Sequence, residues 1–158
     1  MKSQKGFSLI ELLIVVAIIL IIAAVAVPSY LRSRIAANES AAVAAIRTIN
    51  TAQVSYNSAY PTVGFSATLT FLGGTNCSPP SSTSACLIDT QLASGLRNGY
   101  TFTMANVSGT PNATYNVLSA PVLVNGSGIR YFCSFEDGVV RFSMSPIGTC
   151  DGSVQPVQ

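Results

Sequence analysis

The chain contains no histidine and no tryptophan. Without histidine, the serine–histidine and cysteine–histidine triads, the zincin helix and the three-histidine zinc site are all excluded. Nucleotide-cradling loops are missing too, since neither a GxxxxGK[ST] nor a GxGxxG pattern occurs. No CxxC pair is found among the four cysteines, which speaks against tetrahedral zinc. Charge is scarce. Of the 158 residues only 9% are charged and 49% are apolar, a balance that excludes a disordered charged tail and favours contact with a membrane or an apolar assembly. The length suits one domain better than two. Both lysines, Lys2 and Lys5, precede Gly6, and beyond it six arginines balance six acids. With no basic stripe to neutralise phosphates, no nucleic-acid partner is expected. No catalytic residue, metal ligand or cofactor is expected either.

The first thirty residues carry the strongest signal. From Leu12 to Leu31 no side chain is charged, a run of 20 residues. As a helix it covers about 30 Å, the hydrocarbon thickness of a bilayer. A secretory signal peptide fits poorly, because the run is long and no small-x-small cleavage site clearly follows it. A plain single-pass anchor with its lysines inside explains everything except Glu11. A carboxylate within such a segment costs about 2.5–3.5 kcal/mol on insertion scales and usually marks function. Cleavage after Gly6 would free an amine on Phe7, one helical turn from Glu11. That amine has two routes to a carboxylate: Glu11 of its own chain, or Glu11 of an axially displaced neighbour.

The segment Lys5-Gly6-Phe7-Ser8-Leu9-Ile10-Glu11-Leu12-Leu13-Ile14-Val15-Val16 resembles the prepilin motif shared by type IV pilins and type II secretion pseudopilins. The resemblance is dense from Lys5 to about Tyr30. It implies cleavage between Gly6 and Phe7 by a prepilin peptidase and methylation of the new Phe7 amine. It also implies that the apolar helix is kept as the core of a helical filament. Glu11 matches the family's acidic assembly residue, and Pro28 matches a proline that often kinks the helix. The implied partners are identical subunits, the inner membrane before assembly, the peptidase, and a pilus or secretion assembly platform. The implied location is the bacterial inner membrane as a single-pass precursor, then a cell-surface or periplasm-spanning filament.

Past Pro28, whose missing amide and ring predict a bend or local unwinding, the alanine-rich stretch from Ile35 is strongly helix-prone. Ala42, Ala45, Ile46, Ile49, Ala52 and Tyr56 recur at three- and four-residue spacing and make one apolar stripe, with Arg32, Arg34, Glu39 and Arg47 off it. Helix signals stop near Tyr60-Pro61. Between Arg47 and Asp89 no residue is charged, and Phe65, Leu69, Phe71 and Leu72 suggest an ordered loop lying against the head. Alternation at Tyr100, Phe102 and Met104, then at Tyr115 and Val117, reads as strands. The clearest hairpin runs from Ile129 to Met144 around Glu136-Asp137-Gly138. The expected fold is α+β: a long N-terminal helix packed on an antiparallel sheet of about four strands. The expected organisation is a leader at 1–6, a transmembrane or filament-core helix at 7–28, an amphipathic half at 29–60 and a globular head at 61–158.

Cys77, Cys86, Cys133 and Cys150 all fall in the part expected outside the cytoplasm, where an even count favours disulfides. Three connectivities are open. Local pairing, Cys77 with Cys86 and Cys133 with Cys150, closes the shortest loops and is the expected one. Asp89, Asp137 and Asp151 lie too far apart for a DxDxDG calcium loop and read as surface carboxylates. A structural filament subunit of the type IV pilus kind is therefore expected, with a type II secretion pseudopilin as the alternative. The shared motif does not separate the two. Paired cysteines lean towards a pilin, whereas Tyr60-Pro61-Thr62 resembles a YPT element of major pseudopilins. A membrane-tethered enzyme or binding domain is the third class, disfavoured by the missing catalytic constellations.

Overall fold

The computed structural model describes residues 7–74 and 77–157. Within them one long helix, α1 (Leu9–Ala59), is followed by two helical turns, α2 (Leu69–Leu72) and α3 (Thr90–Ala93). Six strands complete the described elements: β1 (Leu96–Arg97), β2 (Tyr100–Gly109), β3 (Asn112–Pro121), β4 (Tyr131–Phe135), β5 (Arg141–Ser143) and β6 (Gln155–Pro156). The chain divides into two compact units between Arg34 and Ile35. The helix runs through Pro28 without the local unwinding that its ring and missing amide allow for.

In the second unit the strands pair in sequence order, each antiparallel to the next, which makes a meander. The α1 stripe lies on this sheet. Ala42, Ala45, Ile46, Ile49, Ala52 and Tyr56 are all buried there, with Tyr100, Phe102, Tyr115, Val117 and Phe132 opposite them. Period-2 alternation explains the register: Phe102 faces Ser119, and Ser119 faces Phe132, so these residues share the helix side. The fold is α+β.

The sheet has more strands than the four read from alternation, because its edges are too short to show a period. The two-residue β1 joins β2 through Asn98 and Gly99, both at positive φ (48° and 73°). This is the type I′ hairpin signature of an Asn-Gly pair, a signal present in the sequence. The β4–β5 hairpin is also wider than expected. Ile129 and Arg130 precede β4 because their amides donate to the Glu39 carboxylate. Val139 falls in the turn because its amide donates to Asp137 Oδ1.

The stretch after Ala59 lies against the head, as its apolar residues suggest. Leu69, Leu72, Ala85, Ile88 and Leu92 all enter the core. Thr68 caps α2 and Asp89 caps α3, each with a side-chain oxygen accepting from the third residue beyond it. The sheet's outer face is not left to solvent throughout. Cys133 is disulfide-bonded to Cys150, and Asn116 Nδ2 donates to the Cys150 carbonyl at 2.8 Å, so the C-terminal segment covers the middle of that face.

Candidate functional site

The first turn of α1 is built by Ser8-Leu9-Ile10-Glu11. Ser8 precedes the helix, and its backbone amide donates to Glu11 Oε2 at 3.0 Å. This is one half of a capping box, in which the third helical residue reaches back to an amide with no intrahelical partner. The S-x-x-E spacing is itself a sequence signal for this cap, and it gives Glu11 a backbone-amide partner besides the Phe7 amine expected from the motif. The carboxylate also faces the positive end of the helix dipole. Among the described residues its other oxygen, Oε1, makes no hydrogen bond. Phe7 is 89% exposed, and Gly6, with the 1–6 leader, lies outside the described residues.

Beyond this cap, the apolar helix is largely uncovered by the described residues. Every large apolar residue from Leu9 to Ile22 is at least 46% exposed. Leu9, Leu12, Leu13, Val16, Ala17 and Leu20 follow the three- and four-residue spacing of one helix face. The helix is long and apolar enough to cross a membrane.

The second unit uses polar side chains on α1 to hold the sheet and loops in place. Glu39, expected off the buried stripe, is instead only 6% exposed and extends it. Oε1 accepts from the Ile129 and Arg130 amides at 3.0 and 3.1 Å, and Oε2 accepts from Arg130 Nε at 2.7 Å. Burial disfavours its charge, but the two amides and the guanidinium more than offset this and hold its carboxyl below the ordinary value. Asn50 Nδ2 donates to Ser134 Oγ and to the Gly138 carbonyl, while its Oδ1 accepts from the Tyr115 hydroxyl. Gln53, fully buried, closes a two-bond ring with the Ser66 backbone: Nε2 donates to the carbonyl at 3.0 Å and Oε1 accepts from the amide at 2.7 Å. Neither amide residue belongs to the apolar stripe as read from sequence, yet both lie at its edge in register.

The three aspartates raised as cation candidates do not come together as a site. Asp89 caps α3 and pairs with Arg97 at 2.7 Å. Asp137 binds Arg141 through both oxygens, and Asp151 holds the Ser153 amide and hydroxyl. The cysteines pair as Cys77–Cys86 and Cys133–Cys150, with Cα separations of 5.7 and 5.8 Å.

The family described as "Prokaryotic N-terminal methylation motif" matches residues 1–27. The chain carries the N-terminal motif of the type IV pilin and pseudopilin family. Three curated relatives agree with this prepilin-type motif. Two proteins of Pseudomonas aeruginosa named "Fimbrial protein" are each 73% identical over 30 residues, which is 19% of this chain and 20% of theirs. A Thermus thermophilus protein named "Type IV wide pilus major component PilA4" is 54% identical over 44 residues, 28% of this chain and 34% of that protein. The match thus spans a fifth to a third of the relatives' length. No solved structure matches the chain.

Proposed function

We propose that this protein is a structural subunit of a type IV pilus-like filament, cleaved between Gly6 and Phe7, methylated at Phe7 and polymerised from the inner membrane. The observation that carries this reading is a prepilin-type motif joined to an apolar helix left exposed among the described residues, in a chain whose head is a separate compact unit. A helix apolar all round needs either lipid or other helices about it. In the precursor that surrounding is the bilayer, and in the filament it is the same segment of identical subunits. Residues 1–6 act as the leader, 7–28 as the spanning and filament-core helix, 29–60 as the amphipathic half, and 61–158 as the head. The protein has no enzymatic role, and its further partners are the peptidase and an assembly platform.

Glu11 has two consecutive tasks in this reading. In the lone subunit Oε2 caps its own helix. In the filament the carboxylate pairs with the Phe7 amine of a neighbour, which removes both charges from uncompensated contact with lipid or apolar core. Pro28, whose ring opposes the Ala24 carbonyl, is proposed to let α1 bend in the filament although the helix runs through it unbroken.

The test is intact-mass and N-terminal analysis of the protein sheared from cells of its natural host. The expected product begins at methylated Phe7, lacks both lysines and is recovered in long fibres. A product that keeps Met1, or that begins after residue 28, overturns the filament reading. Correct processing without extracellular fibres favours the secretion pseudopilin instead.

A further inference from the structure

Most charged side chains of the second unit close ion pairs inside it: Arg97 with Asp89, Arg130 with Glu39 and Arg141 with Asp137. These pairs differ in what they leave over. Asp137 engages both Nη atoms of Arg141 through its two oxygens, and Asp89 takes Nη1 of Arg97. Glu39 takes only Nε of Arg130. Both Nη groups of Arg130 therefore make no hydrogen bond among the described residues. The Arg130 side chain is 36% exposed, and its Cζ lies 5.5 and 5.4 Å from the ring centroids of the cross-strand neighbours Phe132 and Phe142. Held at Nε and against two rings, this guanidinium is a pre-oriented fork whose rotamer freedom is already lost in the free head. Glu39 cannot fill the fork, because its two oxygens are already engaged by the Ile129 and Arg130 amides and by Nε.

The complementary charge stands at the other end of β4. Glu136 is exposed in the β4–β5 turn and makes no ion pair or hydrogen bond among the described residues. Asp151, the other acid outside an ion pair, spends Oδ1 on the Ser153 amide and hydroxyl. Arg47, the other cation, is exposed and held by no described group, so ordering it costs rotamer freedom. α1 marks how far the fork is from Glu136. Arg130 is held at Glu39, whereas Gly138, in the turn that carries Glu136, accepts from Asn50 Nδ2. From Glu39 to Asn50 the rise along the helix is about 17 Å. With Arg130 fixed at Nε, Glu136 of the same head is out of its reach. The head thus carries both halves of an ion pair that it cannot close on itself.

We propose that Arg130 of one subunit binds Glu136 of the next through its two Nη groups, a bidentate contact that joins neighbouring heads. The partner is a second copy of this chain, selected by charge complementarity: every head brings one ordered fork and one free carboxylate. This rests on assembly into a filament, as proposed above, and assigns that assembly a contact outside the apolar helix. Because donor and acceptor lie at different places along α1, each head gives its fork to one neighbour and its carboxylate to another. Such a contact is heterologous, and where it does not close into a ring it continues as an open helical array. A fork ordered beforehand places this pair at the favourable end of exposed ion pairs, worth roughly fivefold in association at each contact.

The test compares wild type with Glu136→Gln and Glu136→Arg in the natural host. Yield of sheared fibres is measured at equal membrane levels of mature subunit, and melting temperature is measured on the full chain in detergent micelles. Glu136→Gln should lower fibre yield roughly fivefold, and Glu136→Arg further, since it sets like charge against Arg130. Neither should move the melting temperature, because Glu136 has no described partner within its own head. A second measurement leaves both charges in place: photoreactive benzoylphenylalanine replaces Val139, in the same turn as Glu136. Irradiated fibres should contain covalent dimers whose link maps to residues 128–132 of the other chain. Normal fibre yield from Glu136→Arg overturns the contact while the filament reading stands. Covalent dimers that map to Arg47 or elsewhere outside 128–132, a product with a different protein, or no dimer from fibres that do form, overturn it as well. A wild-type chain that yields neither fibres nor dimers removes the filament reading, and the contact between heads falls with it.

Discussion

Replacing Glu39 with alanine probes how the head is held to α1. In the native head one carboxylate satisfies two backbone amides and a guanidinium that come from residues 90 and 91 positions away. Removing it leaves the Ile129 and Arg130 amides without an acceptor and Arg130 without its counter-charge. Breaking a buried ion pair by deleting one partner typically costs about 3–5 kcal/mol. The Arg130 side chain is 36% exposed, so water reaches the guanidinium and the lower end applies, about 3 kcal/mol. For a domain of this size that lowers the melting temperature by roughly 10 °C. Glu39→Gln keeps one carbonyl for the amides but turns a donor towards Arg130, so an intermediate loss is expected. The assay is thermal unfolding of the full chain in detergent micelles, followed by near-ultraviolet circular dichroism of the tyrosines.

The pH dependence gives a sharper check. The folded carboxyl sits below its ordinary value of 4.5, so its contribution is fully present above that pH. It is lost as pH falls through the lower folded value, where protonation removes the charge that the amides and Arg130 stabilise. The wild-type melting temperature should therefore fall more steeply below about pH 4.5 than that of Glu39→Gln. An alanine variant as stable as wild type, or parallel acid limbs for wild type and Glu39→Gln, would refute the reasoning.

Glu11→Ala should leave processing at Gly6 intact and ease membrane insertion, yet yield few or no filaments, because an unpaired amine in an apolar core costs about 3–5 kcal/mol for each added subunit. Filament yield after shearing, set against membrane levels of the mature subunit, measures this, and normal yield at normal levels refutes the pairing. Non-reducing peptide mapping of the extracellular protein should recover Cys77 linked to Cys86 and Cys133 linked to Cys150, and a crossed pair would contradict the structure. Replacing Cys133 and Cys150 together by serine should lower head stability by about 3 kcal/mol in urea titration, about half a kcal/mol more than replacing the Cys77–Cys86 pair, because the longer loop frees more chain entropy. Equal losses would show that loop closure does not govern their effect.

Much of the architecture is written in short-range pattern. The three- and four-residue recurrence from Ala42 to Tyr56 identified the α1 face that lies on the sheet, because helix geometry places those residues on one stripe whatever they meet. Alternation at Tyr100, Phe102 and Met104 likewise predicted β2, whose partly or fully buried face matches those positions. Two local signals went unread: the S-x-x-E cap at Ser8 and Glu11, and the Asn98-Gly99 hairpin that starts the sheet. Both were within reach of sequence rules. Glu39 was misplaced for a different reason. A charged residue counts against burial in any local pattern, and only its distant partners reverse that count.

The sequence by itself determined the prepilin-type motif, the uncovered apolar run and the helix-then-sheet order, since each depends on composition or on spacing within a few residues. Tertiary structure alone decided what the polar residues of α1 do. Glu39 meets Arg130, Asn50 meets Ser134 and Tyr115, and Gln53 meets Ser66. It also decided that the C-terminal segment covers the outer sheet face and that the loop between β3 and β4 is anchored at Asn38. A buried polar group is tolerated only where a partner completes it, and most of these partners lie dozens of residues away, beyond the reach of any period in the chain.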